Sequence, residues 1–223
     1  MRYFDGIFML TRIKQVDVLV DWNSQFHLVR QRSEHSHSAK LPRLVLKQLC
    51  RRVSDCLVKA EPSGRFEIHL RAYHGWYRGF EPTPRRKAAI DAQVYDPNDP
   101  SDQGLLSYST RQEVIIRSFS FGDKLLFALD KRLHKRLDSH LPGTLQRVDD
   151  ADEEKMVDTA LSSDLVYLAF SNSNSWLMVV GQDRDLVPAL YVAEAAVNGT
   201  GRRLFFLARH NISLLKLDGL QHR

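Results

Sequence analysis

Apolar residues fall along the chain in two rhythms. Phe66, Ile68 and Leu70 alternate with Glu67, His69 and Arg71, which predicts a half-buried strand over Arg65–Tyr73. Val16–Val20, Trp176–Val180 and Leu204–Leu207 are short apolar runs that read as buried strands, the first ending on Asp21. Glu113–Phe121 reads as another strand. Helical spacing appears in Leu41–Val58, where Leu44, Leu46, Leu49, Val53 and Leu57 recur among basic residues. It appears again in Asp150–Phe170, with Val157, Leu161, Leu165 and Leu168 on one stripe behind an acidic first turn. Leu186, Leu190, Ala193 and Val197 mark the last helix face, which Asn198-Gly199 is expected to stop. Buried strands alternating with helices predict a three-layer α/β domain with a mostly parallel central sheet. The whole chain, 1–223, reads as one such domain. A loop-rich insertion at about 81–112, rich in Pro, Asp and Ser, carries a short helix over Arg85–Val94.

Composition narrows the class. Of 223 residues, 43% are hydrophobic and 26% charged, an ordinary globular mix that argues against wholesale disorder. The longest apolar run, Leu165–Phe170, is far short of the ~20 residues of a spanning helix. No charged region with a long apolar core opens the chain, so neither a membrane nor a secretory protein is expected. The two cysteines, Cys50 and Cys56, fall on different sides of one predicted helix, a poor geometry for a disulfide. A reducing cytoplasm is the expected setting. Thirty-two basic residues against 27 acidic ones are compatible with a nucleic-acid partner without demanding one.

Candidate chemistry gathers where strands end, since open parallel sheets place their functional crevice beyond the carboxyl ends of the strands. Asp21 follows the first strand, and Asp183 with Asp185 follows Trp176–Val180. Asp158 lies near the start of a helix, on the border of its buried stripe. Four converging carboxylates would need a cation between them, and oxygen-only donors suit Mg²⁺ or Mn²⁺ rather than zinc. Each acid also has a plainer reading. Asp185 or Asp183 is a helix N-cap, Asp21 a turn residue and Asp158 a solvated helix residue.

These residues also carry a resemblance. Val18-Leu19-Val20-Asp21-Trp22-Asn23, Lys155-Met156-Val157-Asp158 and Gly181-Gln182-Asp183-Arg184-Asp185-Leu186-Val187-Pro188 resemble the motifs of the NYN domain family. This is a branch of the PIN-like nuclease superfamily, and the bacterial LabA-like group is the most similar. Ala72-Tyr73-His74-Gly75 and Ser213–Asp218 add to the likeness, which spans most of 14–80 and 145–220. Three positions depart from the family pattern. Met156 stands where Gly is usual, Gly181-Gln182 replace Ser-Gly, and Asn23 comes one position early. The resemblance implies a PIN-like, Rossmann-like fold and a Mg²⁺- or Mn²⁺-dependent endoribonuclease, with Asp21, Asp158, Asp183 and Asp185 as catalytic and metal-binding acids and Asn23 in support.

Two further acids lie nearby. Asp164 falls inside the apolar stripe about 20° from Val157 and ~9 Å along the helix from Asp158, so it must be paired or hydrogen-bonded if buried. Glu154 is placed one helical turn before Asp158 and reads either as metal support or as a solvated first-turn acid. Arg71, His74, Tyr77 and Arg78, with Trp76, mix cations and aromatics in a way that suits phosphates and unstacked bases of RNA or single-stranded DNA. An ordinary surface around a core Trp76 is the competing reading. Lys131–Arg136 is a basic helical face, and His35 and His37 lie in a polar loop without matching metal ligands.

The leading expectation is thus a metal-dependent ribonuclease. The alternative is a nucleic-acid-binding module on the same fold that cleaves nothing, or cleaves only when a partner completes it. A phosphatase is disfavoured because Asp21-Trp22-Asn23-Ser24-Gln25 lacks the Asp-x-Asp-x-Thr signature of haloacid-dehalogenase-like enzymes. A homo-oligomer or a protein partner is left open.

Overall fold

The architecture follows from strands whose two faces are both apolar. The computed structural model describes residues 12–30, 41–78, 81–93, 108–109, 111–122, 145–148, 151–154, 156–208 and 212–213, with backbone alone at 145–148, 151–154 and 212–213. His35, His37, Lys131–Arg136, most of the middle of the insertion and the tail after Ser213 lie outside the described residues.

The main sheet has six strands. They are β1 (Ile13–Asp21), β2 (Arg65–Tyr73), β5 (Val114–Phe121), β8 (Trp176–Val180), β9 (Leu204–Leu207) and β10 (Ile212–Ser213). Their order is β10-β9-β8-β1-β2-β5. Five are mutually parallel, and β10 pairs antiparallel with β9. Successive side chains on β1 point to opposite faces. Val16, Val18 and Val20 join Phe66, Ile68 and Leu70 in one core under helices α1 (Trp22–Arg30) and α2 (Leu41–Ala60). Leu19 joins Leu177 and Val179 in a second core under α4 (Val157–Phe170) and α5 (Val187–Val197). The result is a three-layer α/β domain with a mostly parallel central sheet. Among the described residues no helix is long and apolar enough to cross a membrane.

Cys50 and Cys56 are free thiols inside α2, and burial pushes their pKa values up to about 12 and about 11. Both are therefore inert packing groups.

Strand β3 (Tyr77–Arg78) leads into the insertion, which contributes the short strand β4 (Glu81–Pro82) and helix α3 (Pro84–Asp91). Thr83 caps α3, its hydroxyl oxygen accepting from Arg86 N at 3.3 Å, with Pro84 in the first turn. Strands β3 and β4 share a small second sheet with β6 (Leu145–Val148) and β7 (Ala151–Glu154).

One expectation is corrected here. The helix expected from Asp150 starts only at Val157, because Ala151–Glu154 pairs with Leu145–Val148 as an antiparallel hairpin. Glu154 therefore belongs to a strand and is not one turn ahead of Asp158 on a helix. The break falls at Met156, whose φ of 61° and ψ of 6° are left-handed. An L side chain disfavours that conformation and glycine does not. Met156 is 56% exposed and contributes little packing. Met156→Gly should therefore stabilise the fold by up to about 1 kcal/mol, read as a raised thermal midpoint. A lowered midpoint would show that the left-handed turn carries no strain.

Candidate functional site

Along the chain the parallel strands come in the order β1, β2, β5, β8, β9, while across the sheet they run β5-β2-β1-β8-β9. The order reverses between β1 and β8. Crossovers leave these two strands toward opposite faces, which opens a crevice beyond their carboxyl ends.

Asp21 is the last residue of β1 and lies at the edge of that crevice, 9% exposed. It also starts α1. Its Oδ1 accepts from Ser24 N at 3.2 Å, and its carbonyl accepts from the Ser24 hydroxyl at 2.9 Å. This capping bond takes one of a carboxylate's roughly four acceptor positions. Across the crevice, Val180 is in register with Val20, which sets Gly181 beside Asp21. A Cβ on Gly181 would lie 3.4 Å from Asp21 Cβ and 3.0 Å from Leu186 Cδ1. Glycine thus lets the exit of β8 run close against Asp21.

The next residues turn back into a helix. Asp183 Oδ1 accepts from Asp185 N at 2.9 Å and caps the 3-10 turn Arg184–Leu186, after which α5 begins at Val187. The capping acid is thus Asp183 rather than Asp185, because the 3-10 turn precedes the α-helix proper. Both acids are exposed. Asn23 is half-buried in the first turn of α1. Asp158 is half-buried in the first turn of α4.

The height of α4 on the sheet follows from its side-chain partners. Asp164, fully buried at mid-helix, accepts from the Tyr73 hydroxyl at 2.6 Å and from Arg71 Nε at 3.2 Å. Tyr73 is the last residue of β2 and in register with Asp21. Asp158, six residues earlier and ~9 Å up the axis, therefore stands toward the carboxyl edge. At the other end of α4, Arg202 donates to the carbonyls of Leu168 at 2.8 Å, Ala169 at 2.8 Å and Ser175 at 2.9 Å. It closes the helix terminus where carbonyls lack helical partners. Burial, and then the neighbouring Asp164 charge, hold the Tyr73 hydroxyl well above the usual phenol range, so it stays a donor.

Asp21 and the turn that leads to Asp183 and Asp185 thus meet at the carboxyl edge, and the first turn of α4 with Asp158 stands toward that edge. Among the described residues no three His, Cys, Asp or Glu side chains are gathered closely enough to hold a metal ion.

The expected nucleic-acid platform is partly turned inward. Arg71 is 11% exposed and paired with Asp164, because alternation along β2 points it under α4. His74 is buried edge-on against Trp76, ring centroids 5.1 Å apart, with Arg85 Nη1 at 2.8 Å from its Nε2. Trp76 is in the core beside Trp22 and Phe121. Tyr77 is half-buried under the Arg86 guanidinium, 4.7 Å from its ring centroid, and Arg78 is exposed.

Asp17 interrupts the buried run of β1 and is a site residue that the strand pattern alone does not single out. It is half-buried and hydrogen-bonded to Ser175, with His69 and Arg202 as its neighbours. Burial raises its pKa, against the pull of those three groups. A carboxylate inside a run of valines was the available signal.

Comparison of the chain with family models, with curated proteins and with solved structures finds no match.

The Asp164 cluster makes a test. Asp164→Ala leaves Arg71 without its buried partner, which typically costs about 3–5 kcal/mol. Urea unfolding should show that loss, and a change below about 1 kcal/mol would mean that water or another acceptor replaces the carboxylate.

Proposed function

We propose that the chain is a divalent-metal-dependent ribonuclease whose reaction centre is the crevice between the carboxyl ends of β1 and β8. The observation that carries this reading is the position of Asp21: a nearly buried carboxylate at the topological switch point, opposite the glycine that leads into Asp183 and Asp185. The motif resemblance to NYN domains selects the same residues.

The donor set fits Mg²⁺ or Mn²⁺ in kind. Asp21, Asp183 and Asp185 offer carboxylate oxygens at the carboxyl edge, and Mg²⁺ keeps several waters while using one or two carboxylates. Asp21 with Asp183 or Asp185 would hold it, and Asp158 would face it from α4. When bound, such an ion supplies Lewis-acid polarisation of a phosphoryl oxygen. The chain's own contribution is orientation. The Ser24 N–H fixes one oxygen of Asp21, and the capping bond to Asp185 N fixes one oxygen of Asp183. Exposed Arg78, after the end of β2, would meet the backbone of single-stranded RNA or DNA, with Tyr77 beside it.

One observation favours the second reading, a binding module that is silent or needs a partner. Among the described residues no three of the acids are gathered closely enough to hold a metal ion. Activity separates the two. Wild type should cleave single-stranded RNA with Mn²⁺, while Asp21→Asn and Asp183→Asn should abolish most cleavage and retain RNA binding. Asn caps a helix about as well as Asp, so both variants should keep their stability to within a few tenths of a kcal/mol. RNA binding without cleavage by the wild type would favour the module. Full cleavage by Asp183→Asn, from a preparation free of contaminating nuclease, would remove that residue from the mechanism.

A further inference from the structure

A cavity lies under the last turns of α4. It is a cleft of about 420 Å³ over the middle of β1, β2 and β5, with Asp17, His69, Ser120, Tyr167, Ser171 and Ser173 among its walls. That volume is within the range of small-molecule sites, about 300–1,000 Å³. More of its lining is apolar than polar, and the polar groups are few and convergent, the usual makeup of a ligand pocket.

The hydrogen bonds decide what such a ligand must bring. The Ser171 hydroxyl donates to Leu168 O at 2.7 Å, and the Ser120 hydroxyl to Leu70 O at 3.2 Å. The Ser173 hydroxyl donates to Ser175 Oγ at 2.8 Å. Arg71, also on the wall, donates through Nε to Asp164. His69 Nδ1 lies 2.9 Å from Ser118 Oγ, and its Nε2 lies 3.4 Å from Glu67. The serine hydroxyls and Arg71 Nε thus donate into the protein. What the serines offer the cleft is oxygen lone pairs, and Asp17 adds a carboxylate. An acceptor-rich pocket around a carboxylate selects a donor-rich ligand. Tyr167, 41% exposed, supplies an aromatic wall beside it, which suits a planar group.

We propose that this cleft binds a small ligand presenting two adjacent N–H donors in one plane, either a guanine base edge or a guanidinium, to the Asp17 carboxylate. The site is separate from the crevice: Asp17 is four residues, ~13 Å, back along β1 from Asp21. It does not depend on the ribonuclease reading.

Asp17→Asn is a usable variant, because burying this charge opposes folding. The raised pKa means that the folded state holds the proton more tightly, so Asp17's contribution to stability falls as pH rises through the folded value. At neutral pH the Asn variant should therefore match or exceed the wild-type thermal midpoint.

The test is calorimetric titration of the full chain with guanosine, agmatine and adenosine, together with amide chemical-shift mapping on the wild type. Guanosine or agmatine should bind saturably, with shifts centred on Asp17, His69 and Ser171. Adenosine, whose base has a single amino group, should bind at least tenfold more weakly, and Asp17→Asn should weaken the bound probe at least tenfold. Tyr167→Ala should also weaken it. Guanosine alone binding would identify the base edge, and agmatine alone the guanidinium. Failure of both probes to bind, shifts centred elsewhere, or unchanged affinity in Asp17→Asn would overturn the proposal.

Discussion

Asp164 is a carboxylate removed from water, and the layers on one side of the sheet are arranged around satisfying it. Its oxygens are met by the Tyr73 hydroxyl and the Arg71 guanidinium, both from β2, while its own backbone belongs to α4. A charge buried without such partners costs several kcal/mol, so the helix has one acceptable height and rotation on the sheet. That height sets Asp158 toward the carboxyl edge and brings the last turn of α4 down to Arg202 and Asp17. The height of α4 over the Asp17 cleft is thus a consequence of one buried pair.

The sheet order supplies the other half of the site. Strands β1 and β8 are neighbours in space although most of the chain separates them, and their crossovers diverge. Asp21 and the Gly181–Asp185 turn meet only because of that long-range pairing. Their caps then restrain the carboxylates: a helix start on one side and a 3-10 turn on the other each take one carboxylate oxygen. Capping and a functional role are compatible for both acids, since a carboxylate held by one N–H is better oriented for a second partner.

Much of this was visible along the chain wherever burial alone decides structure. Arg65–Tyr73, Trp176–Val180 and Leu204–Leu207 begin and end as their hydrophobic pattern indicates, because an apolar run of that length in a two-sided sheet has one low-energy state. The start of α4 was misread because an acidic segment ahead of an apolar stripe imitates a helix N-terminus. Nothing local reveals that Ala151–Glu154 pairs with Leu145–Val148, or that Met156 adopts a left-handed turn. The orientation of cations was equally hidden. Arg71 and Arg78 look alike in sequence, yet one is drawn under α4 by a carboxylate 93 positions later and the other lies at the surface. Asp17 was lost for the converse reason, since a strand pattern weighs valines and treats a single acid among them as noise.

Paramagnetic Mn²⁺ tests the central placement directly, since it broadens the NMR signals of amides near the ion without requiring turnover. Titrated into the wild-type chain at substoichiometric ratio, Mn²⁺ should broaden the amides of Asp21, Trp22, Gly181 and Gln182 first, then those of Val157 and Asp158. Amides at the opposite edge of the sheet, such as Lys14 and Arg65, should stay sharp. Broadening centred away from the ends of β1 and β8, or absent at millimolar Mn²⁺, would contradict an ion-binding crevice at the switch point.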